Sequence, residues 1–165
     1  MFIAHLPVGY LVSRHLLMLM PIPNNLVIYG WTAGLLGAIA PDFDLFYFYL
    51  IDQQQHHHHQ YWSHIPIFWV TLIVLSTILF SKCTHAFYLF LFSINGFIHL
   101  VLDTVVGDIW WLYPFDNQLV AFFQVEAHLK PWWLNFIFHW SFLLELGLCV
   151  WAWRNWRHQH RKSLK

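Results

Sequence analysis

Apolar residues run through most of this chain, and the few polar positions mark where its elements begin and end. Phe2–Met20 is one apolar stretch carrying His5, Arg14 and His15; it ends at Pro21, where Pro-Ile-Pro-Asn-Asn reads as a turn. Leu26–Ala40 is a second, with Gly34, Gly37 and Ala38 small enough to admit a neighbouring helix closely. It stops at Pro41-Asp42-Phe43-Asp44 and leads into a short aromatic piece, Leu45–Ile51, suited to a lipid–water interface. Gln53–His59 is a polar, low-complexity loop. Ile65–Phe80 and Ala86–Val106 predict a third and a fourth helix. Gly107–Pro131 is a longer connection carrying Asp108, Asp116, Glu126 and His128. Trp132–Trp153 predicts the fifth helix and the strongest span, because crossing a bilayer takes about 20 apolar residues and Trp132, Trp133, Trp151 and Trp153 mark its ends. The second and third helices are short for a full crossing, so tilt, thinning or burial against neighbours must help.

Composition turns this pattern into a fold class. The chain has one domain's worth of residues, 165, of which 59% are hydrophobic and 10% charged. A soluble domain carries about 25% charged residues, and the mean hydropathy here is +0.50. The expectation is an all-α, polytopic membrane bundle of about four to five helices. It forms a single membrane-embedded domain over residues 1–165, has the lipid bilayer as its partner, and ends in a basic cytoplasmic tail, 154–165. Zero formal net charge gives no reason to expect nucleic acid. Cys83 and Cys149 stand outside any C-x-x-C spacing and read as free thiols. The N-terminus lacks a basic region and a small-residue cleavage site, so no signal peptide is expected.

Antiparallel alternation of these helices makes a sharper prediction. His5 opens the first helix, Asp42 and Asp44 follow the second, His59 and His64 precede the third, and His99 and Asp103 occupy the last turns of the fourth. All seven then fall at one end of the bundle, whereas the connections at the other end carry no Asp or Glu. His99 and Asp103 are four apart, on one helix face. Ionisable groups are costly in such segments and point to a site. The opposite end holds Lys82, Arg154, Arg157, Arg161, Lys162 and Lys165, against Lys130 at the site end, so the tail is expected in the cytoplasm and the site outside. Arg14 sits mid-helix; were the first segment to lie flat on the surface, His5 would leave the set.

Each group also has a plainer reading. His99 could be a buried histidine bonded to its helix neighbour Asp103. Asp44 could cap the Leu45 segment, or orient a ligand histidine, or act as a base. The run His56–His59 could be simple low complexity. His128, His139 and Glu145 are weaker candidates, with Glu145 deep enough to need a partner, and His85 sits at the wrong end. The basic tail is first a topology signal, with acidic-lipid binding as a lesser role. Imidazole and carboxylate without thiolate suit a catalytic zinc or another divalent metal. Seven groups exceed one tetrahedral shell, which admits more than one ion, and paired metals can clamp a phosphoryl group and activate water. No G-x-S-x-G elbow, P-loop or G-x-G-x-x-G fingerprint occurs.

The order of these elements is itself specific. An early His5, Pro41–Asp44 as PDFD, His59 paired with His64, and H-L-V-L-D from His99 followed by a glycine and LYPF resemble the YdjM-type family of bacterial inner-membrane, metal-dependent hydrolases. That family in turn resembles the zinc-dependent phospholipase C and single-strand nuclease superfamily. The match covers roughly the first two-thirds of the chain. It implies a phosphoester-type hydrolase in the inner membrane, acting on a lipid or other phosphoester, with His5, Asp42, His59, His64, His99 and Asp103 as metal ligands. The family's middle motif reads like H-R-G-x-T-H-S; here Gln60 and Tyr61 stand where it has arginine and glycine. The histidines are kept, and the arginine able to grip a phosphate oxygen bidentately is not.

Overall fold

Runs rich in Leu, Ile and Phe fold as helices, and the proline-marked breaks become turns, in a computed structural model describing residues 3–163 except 57, 81, 82, 84, 127 and 132. The side chains of residues 58, 162 and 163 are not described either. Phe2, His57, Lys82, Trp132 and Lys165, all named above, lie outside the described residues. The helices are α1 (His5–Leu19), α2 (Val27–Ile39), α3 (Asp44–Leu50), α4 (Pro66–Phe80), α5 (Ala86–Asp103), α6 (Trp133–Ile137) and α7 (Ser141–Ser163). Among the described residues there is no strand, only an isolated antiparallel bridge between Ile109 and Val120.

Helix α5 is the axis of the fold, with both Leu91 and Leu100 completely buried. It runs parallel to α2: the Tyr88 hydroxyl donates to the Leu26 carbonyl near one end, and His99 reaches the Ala38 carbonyl near the other. The two backbones approach so closely at Gly37 that any Cβ there would overlap the Phe92 carbonyl, which is why glycine occupies the position. Helix α4 descends antiparallel beside α5. Its Trp69, 1% exposed, fills the space over Gly96, and Phe80 meets Phe87 at 5.7 Å. Helix α1 is antiparallel to α2, with Gly9 against Ala38, Ser13 against Gly34 and Leu17 against Gly30. Helix α7 runs parallel to α1: Glu145 accepts from the Ile3 amide at 2.6 Å, and Arg14 donates to Asn155 at 3.2 Å. The starts of α1, α4 and α7 and the ends of α2 and α5 therefore share one end, as helix alternation predicts.

The last third departs from expectation. The single span expected over Trp132–Trp153 is broken at residues 138–140 into short α6 and long α7, where His139 turns its Nδ1 to the Ser141 hydroxyl at 2.8 Å. Helix α7 also continues through the basic stretch to Ser163. The reason is local: a polar His-Trp-Ser sequence allows a turn, and Arg154–Lys162 consists of residues tolerated in an exposed helix. The fourth helix ends at Asp103 rather than Val106, and the chain folds back so that Phe122 and Phe123 donate to the Thr104 and Val105 carbonyls.

Among the described residues, α5 alone is long and apolar enough to cross a bilayer, or two segments are if Asn24–Ile39 and Pro41–Leu50, bent by 58°, count as one broken span. Helix α4 is strongly apolar, but its 15 residues cover only about 22 Å at 1.5 Å each. Many large apolar side chains nevertheless face outward, Val74, Ile78 and Leu143 among them.

Candidate metal centre

The shared end of the bundle gathers a buried nest of imidazoles and carboxylates. On the final turns of α5, His99 and Asp103 are 1% and 3% exposed, with His99 Nε2 2.9 Å from Asp103 Oδ2, the i,i+4 face-sharing that their spacing predicts. Helix α1 begins beside them, so His5 Nε2 lies 3.2 Å from Asp103 Oδ1 and the His5 and His99 rings stack at 3.7 Å. Pro41 ends α2 and starts a tight 3-10 turn, Pro41–Phe43, that sets Asp42 Oδ1 3.5 Å from His99 Nε2. A second such turn, Trp62–His64, carries the fully buried His64 inward, its Nε2 3.7 Å from Asp103 Oδ2. His59 comes from a third, with its ring 4.9 Å from that of His64. It lies against Gly107, where a Cβ would stand 2.6 Å from the imidazole Cε1, so the glycine leaves room for this histidine.

Ligand atoms from these six residues form three groups, each with all its atoms within 4.8 Å of one another: His5–His99–Asp103, Asp42–His64–His99 and His59–His64–Asp103. Such groups could hold a metal ion. Ligands about 2.1 Å from a tetrahedral ion sit about 3.4 Å apart, and the four distances above, 2.9, 3.2, 3.5 and 3.7 Å, bracket that spacing. Asp103 belongs to two groups, and its two carboxylate oxygens could each serve one of two neighbouring ions; His64 and His99 also belong to two, and each has one nitrogen free to serve a single ion.

Groups behind the ligands fix their orientation. The Ala38 carbonyl can only accept, so His99 Nδ1, at 2.7 Å, carries the proton and Nε2 presents its lone pair to the nest. That Nε2 is buried and has no well-formed hydrogen bond, although carboxylate oxygens surround it. An orphaned ring nitrogen is costly unless something binds it, and a metal ion fits. Asp44 does the same for His64: its Oδ2 meets His64 Nδ1 at 2.6 Å and accepts from the Ser63 hydroxyl at 2.7 Å. Its Oδ2 is taken by Ser63 and His64 and its Oδ1 has no hydrogen-bond partner, so the capping role open to it in the sequence is not the one it has. Ser63 is in turn anchored by Trp69, whose Nε1 donates to the Ser63 carbonyl at 2.7 Å. Burial by itself lowers the His64 pKa, but hydrogen bonds and charges from Asp103 and Asp44 outweigh it and carry the value upward. The same negative field that retains a proton favours a metal cation, and the two compete for the nitrogen. No Lys or Arg among the described residues pairs with Asp42 or Asp44, so neutralisation there falls to protons or metal ions.

A family model described as YdjM inner membrane protein matches residues 1–162. The chain belongs to the YdjM family. No curated protein and no solved structure matches it. Membership places it with inner membrane proteins and in association with a lipid bilayer. The match extends past the motif region, from the His5 helix through most of α7.

Other singled-out residues of this YdjM-family chain lie apart from the nest. His56 is exposed and bonds Asp52 at 2.8 Å; together with the amide of the same residue it pulls the Asp52 pKa down to about 2. His128 pairs with Glu126 at 2.6 Å, both exposed, beside an open cavity of about 380 Å³ that His139 also lines. His85 lies at the far end, 3.8 Å from Cys83, and both cysteines are free thiols. Glu145 has the partner that its depth demanded, the Ile3 amide. The Ala38 carbonyl and Trp69 went unremarked in the sequence. A backbone oxygen carries no residue signature, and one tryptophan among eleven carries little.

Proposed function

We propose that this YdjM-family chain is a membrane-bound, metal-dependent hydrolase acting on a phosphoester of a membrane-associated substrate. In this reading it is a polytopic bundle of four to five helices forming one embedded domain, with the metal centre at its extracytoplasmic end. The observation that carries it is the convergence of His5, Asp42, His59, His64, His99 and Asp103 into three ligand groups, each of which shares a residue with the other two. The donor set, all imidazole and carboxylate, suits zinc or another divalent ion, and the overlap of the groups suits two. Such a pair supplies Lewis-acid activation of a phosphoryl group and of water. The chain's own part is positional. Asp44 sets the His64 tautomer, the Ala38 carbonyl sets that of His99, and Asp42, 38% exposed, lies where the nest opens toward substrate. Asp44 offers its second oxygen, Oδ1, buried and without a hydrogen-bond partner, as a proton acceptor close to the site.

The test is metal content by mass spectrometry on protein purified in mild detergent, for wild type, Asp103→Asn and His99→Ala. A phosphoester panel is assayed beside acyl-ester and amide substrates. Bound metal that both variants lose, together with phosphoester turnover, supports the reading; metal-free wild type refutes it. A non-catalytic metal-binding role is the second reading, favoured by Gln60 at the anion-clamp position and by the lack, among the described residues, of a Lys or Arg ion pair at Asp42 or Asp44. Metal without turnover on any ester would select it. For orientation, cysteine introduced at Asp52 should react with a membrane-impermeant maleimide from outside, and cysteine at Lys162 should not.

A further inference from the structure

Arg14 is a mid-helix guanidinium in an apolar helix, and the metal centre makes no use of it. It lies nine residues beyond His5, about 13 Å along α1, toward the far end of the bundle. There its Nη1 donates to Asn155 Oδ1 at 3.2 Å, while its Nε is buried without a hydrogen-bond partner. No carboxylate among the described residues pairs with Arg14 or Arg154, and no acidic residue follows Glu145 in the sequence. A buried arginine face in an inner membrane protein needs an anion from somewhere.

Asn155 is also part of the wall of an open cavity of about 490 Å³ on α7, lined by Gly147, Val150, Trp151, Arg154, Asn155 and His158. Its polarity is graded along the helix. Gly147 leaves empty space, with nothing within 4 Å of where a Cβ would be, and Val150 and Trp151 continue an apolar floor. Arg154 and His158 follow one and two turns further on, with Arg14 reaching the rim through Asn155. An apolar face ending in a guanidinium, Arg154, that no carboxylate among the described residues pairs matches an amphiphile with an acyl chain and a negative head. We infer that this open face of α7, with Arg14 of α1 held behind Asn155, binds an anionic phospholipid. Its phosphate sits between Arg154, His158 and the Arg14–Asn155 pair, and one acyl chain lies over Gly147 and Val150. The occupant is the bilayer's own acidic lipid, because charge and apolar length are satisfied together. Arg157, by contrast, lies over the Trp153 ring at 4.8 Å and is already engaged.

The full chain, released from detergent into native mass spectrometry with phosphatidylglycerol or phosphatidylcholine, tests this. Phosphatidylglycerol should be retained preferentially. Arg154→Gln and Arg14→Gln should each weaken it about five-fold, the worth of one cation near a lipid surface. Arg157→Gln should leave it unchanged, and Gly147→Leu should weaken it by filling the acyl trough. Equal retention of both lipids overturns the inference, as does equal loss in the Arg154 and Arg157 variants, which would mean diffuse charge attraction. Unchanged binding in Gly147→Leu removes the acyl trough and the inference with it. Should Arg14→Gln fail to accumulate, Arg154→Gln alters an exposed side chain and carries the test alone.

Discussion

Asp44→Asn is the most telling single change. Wild-type Asp44 presents one oxygen, Oδ2, to both the Ser63 hydroxyl at 2.7 Å and His64 Nδ1 at 2.6 Å, so Nδ1 of His64 is the protonated nitrogen and Nε2 faces Asp103. Asparagine has nearly the same shape but one acceptor oxygen and one NH₂. The amide oxygen can take the place of Oδ2 and still accept from both Ser63 and His64 Nδ1, which leaves the NH₂ buried where Oδ1 has no partner. What is lost is the negative charge that holds the Nδ1 proton and makes Nε2 a stronger ligand. Losing an orienting carboxylate of this kind lowers metal affinity about 10–100-fold, or about 1.4–2.7 kcal/mol. Competition of the purified protein against a chelator of known affinity measures it. Ser63→Ala is the internal control: it deletes one neutral donor, keeps the carboxylate on His64, and should cost about 1 kcal/mol of stability with little change in affinity. Wild-type metal affinity in Asp44→Asn would refute the part given to the Asp44 charge and, with it, the place of His64 in the centre.

Other expectations follow from the packing and the loop charges. Gly37→Ala puts a methyl into the Phe92 backbone carbonyl, which cannot rotate away, so α2 and α5 must separate. A loss of about 1–3 kcal/mol is expected in thermal or denaturant unfolding, together with weaker metal binding, since His99 is oriented by Ala38 on the next residue of α2. Gly96→Ala should act likewise by displacing Trp69, and through it the Ser63–His64 turn. In the 51–60 loop, the Asp52 pKa lies at about 2 against an ordinary 3.8 because of the side-chain and amide hydrogen bonds from His56. A depressed folded-state pKa means that the pair stabilises the loop fully above pH 3.8 and loses that contribution as pH falls toward 2. His56→Ala removes the side-chain bond and keeps the amide bond, so carboxyl chemical shifts followed against pH should show the Asp52 midpoint rising part of the way to 3.8.

Read from residues alone, the chain already disclosed its helical class, its membrane character and the end of the bundle where chemistry collects. Each of these rests on one-dimensional regularities. Apolar runs set where helices lie, prolines and polar turns set where they reverse, and reversal alone delivers His5, Asp42, Asp44, His59, His64, His99 and Asp103 to one level. What alternation cannot supply is azimuth, meaning which way each side chain points around its helix and which atom meets which. Only packing decided that Asp44 turns to His64 instead of capping α3, that the Ala38 carbonyl holds His99, and that Arg14 leans toward Asn155. The break at residues 138–140 belongs to the same class: in an apolar run over Trp132–Trp153, His139 and Ser141 are two polar positions among many apolar ones, whereas the turn is closed by the hydrogen bond between them.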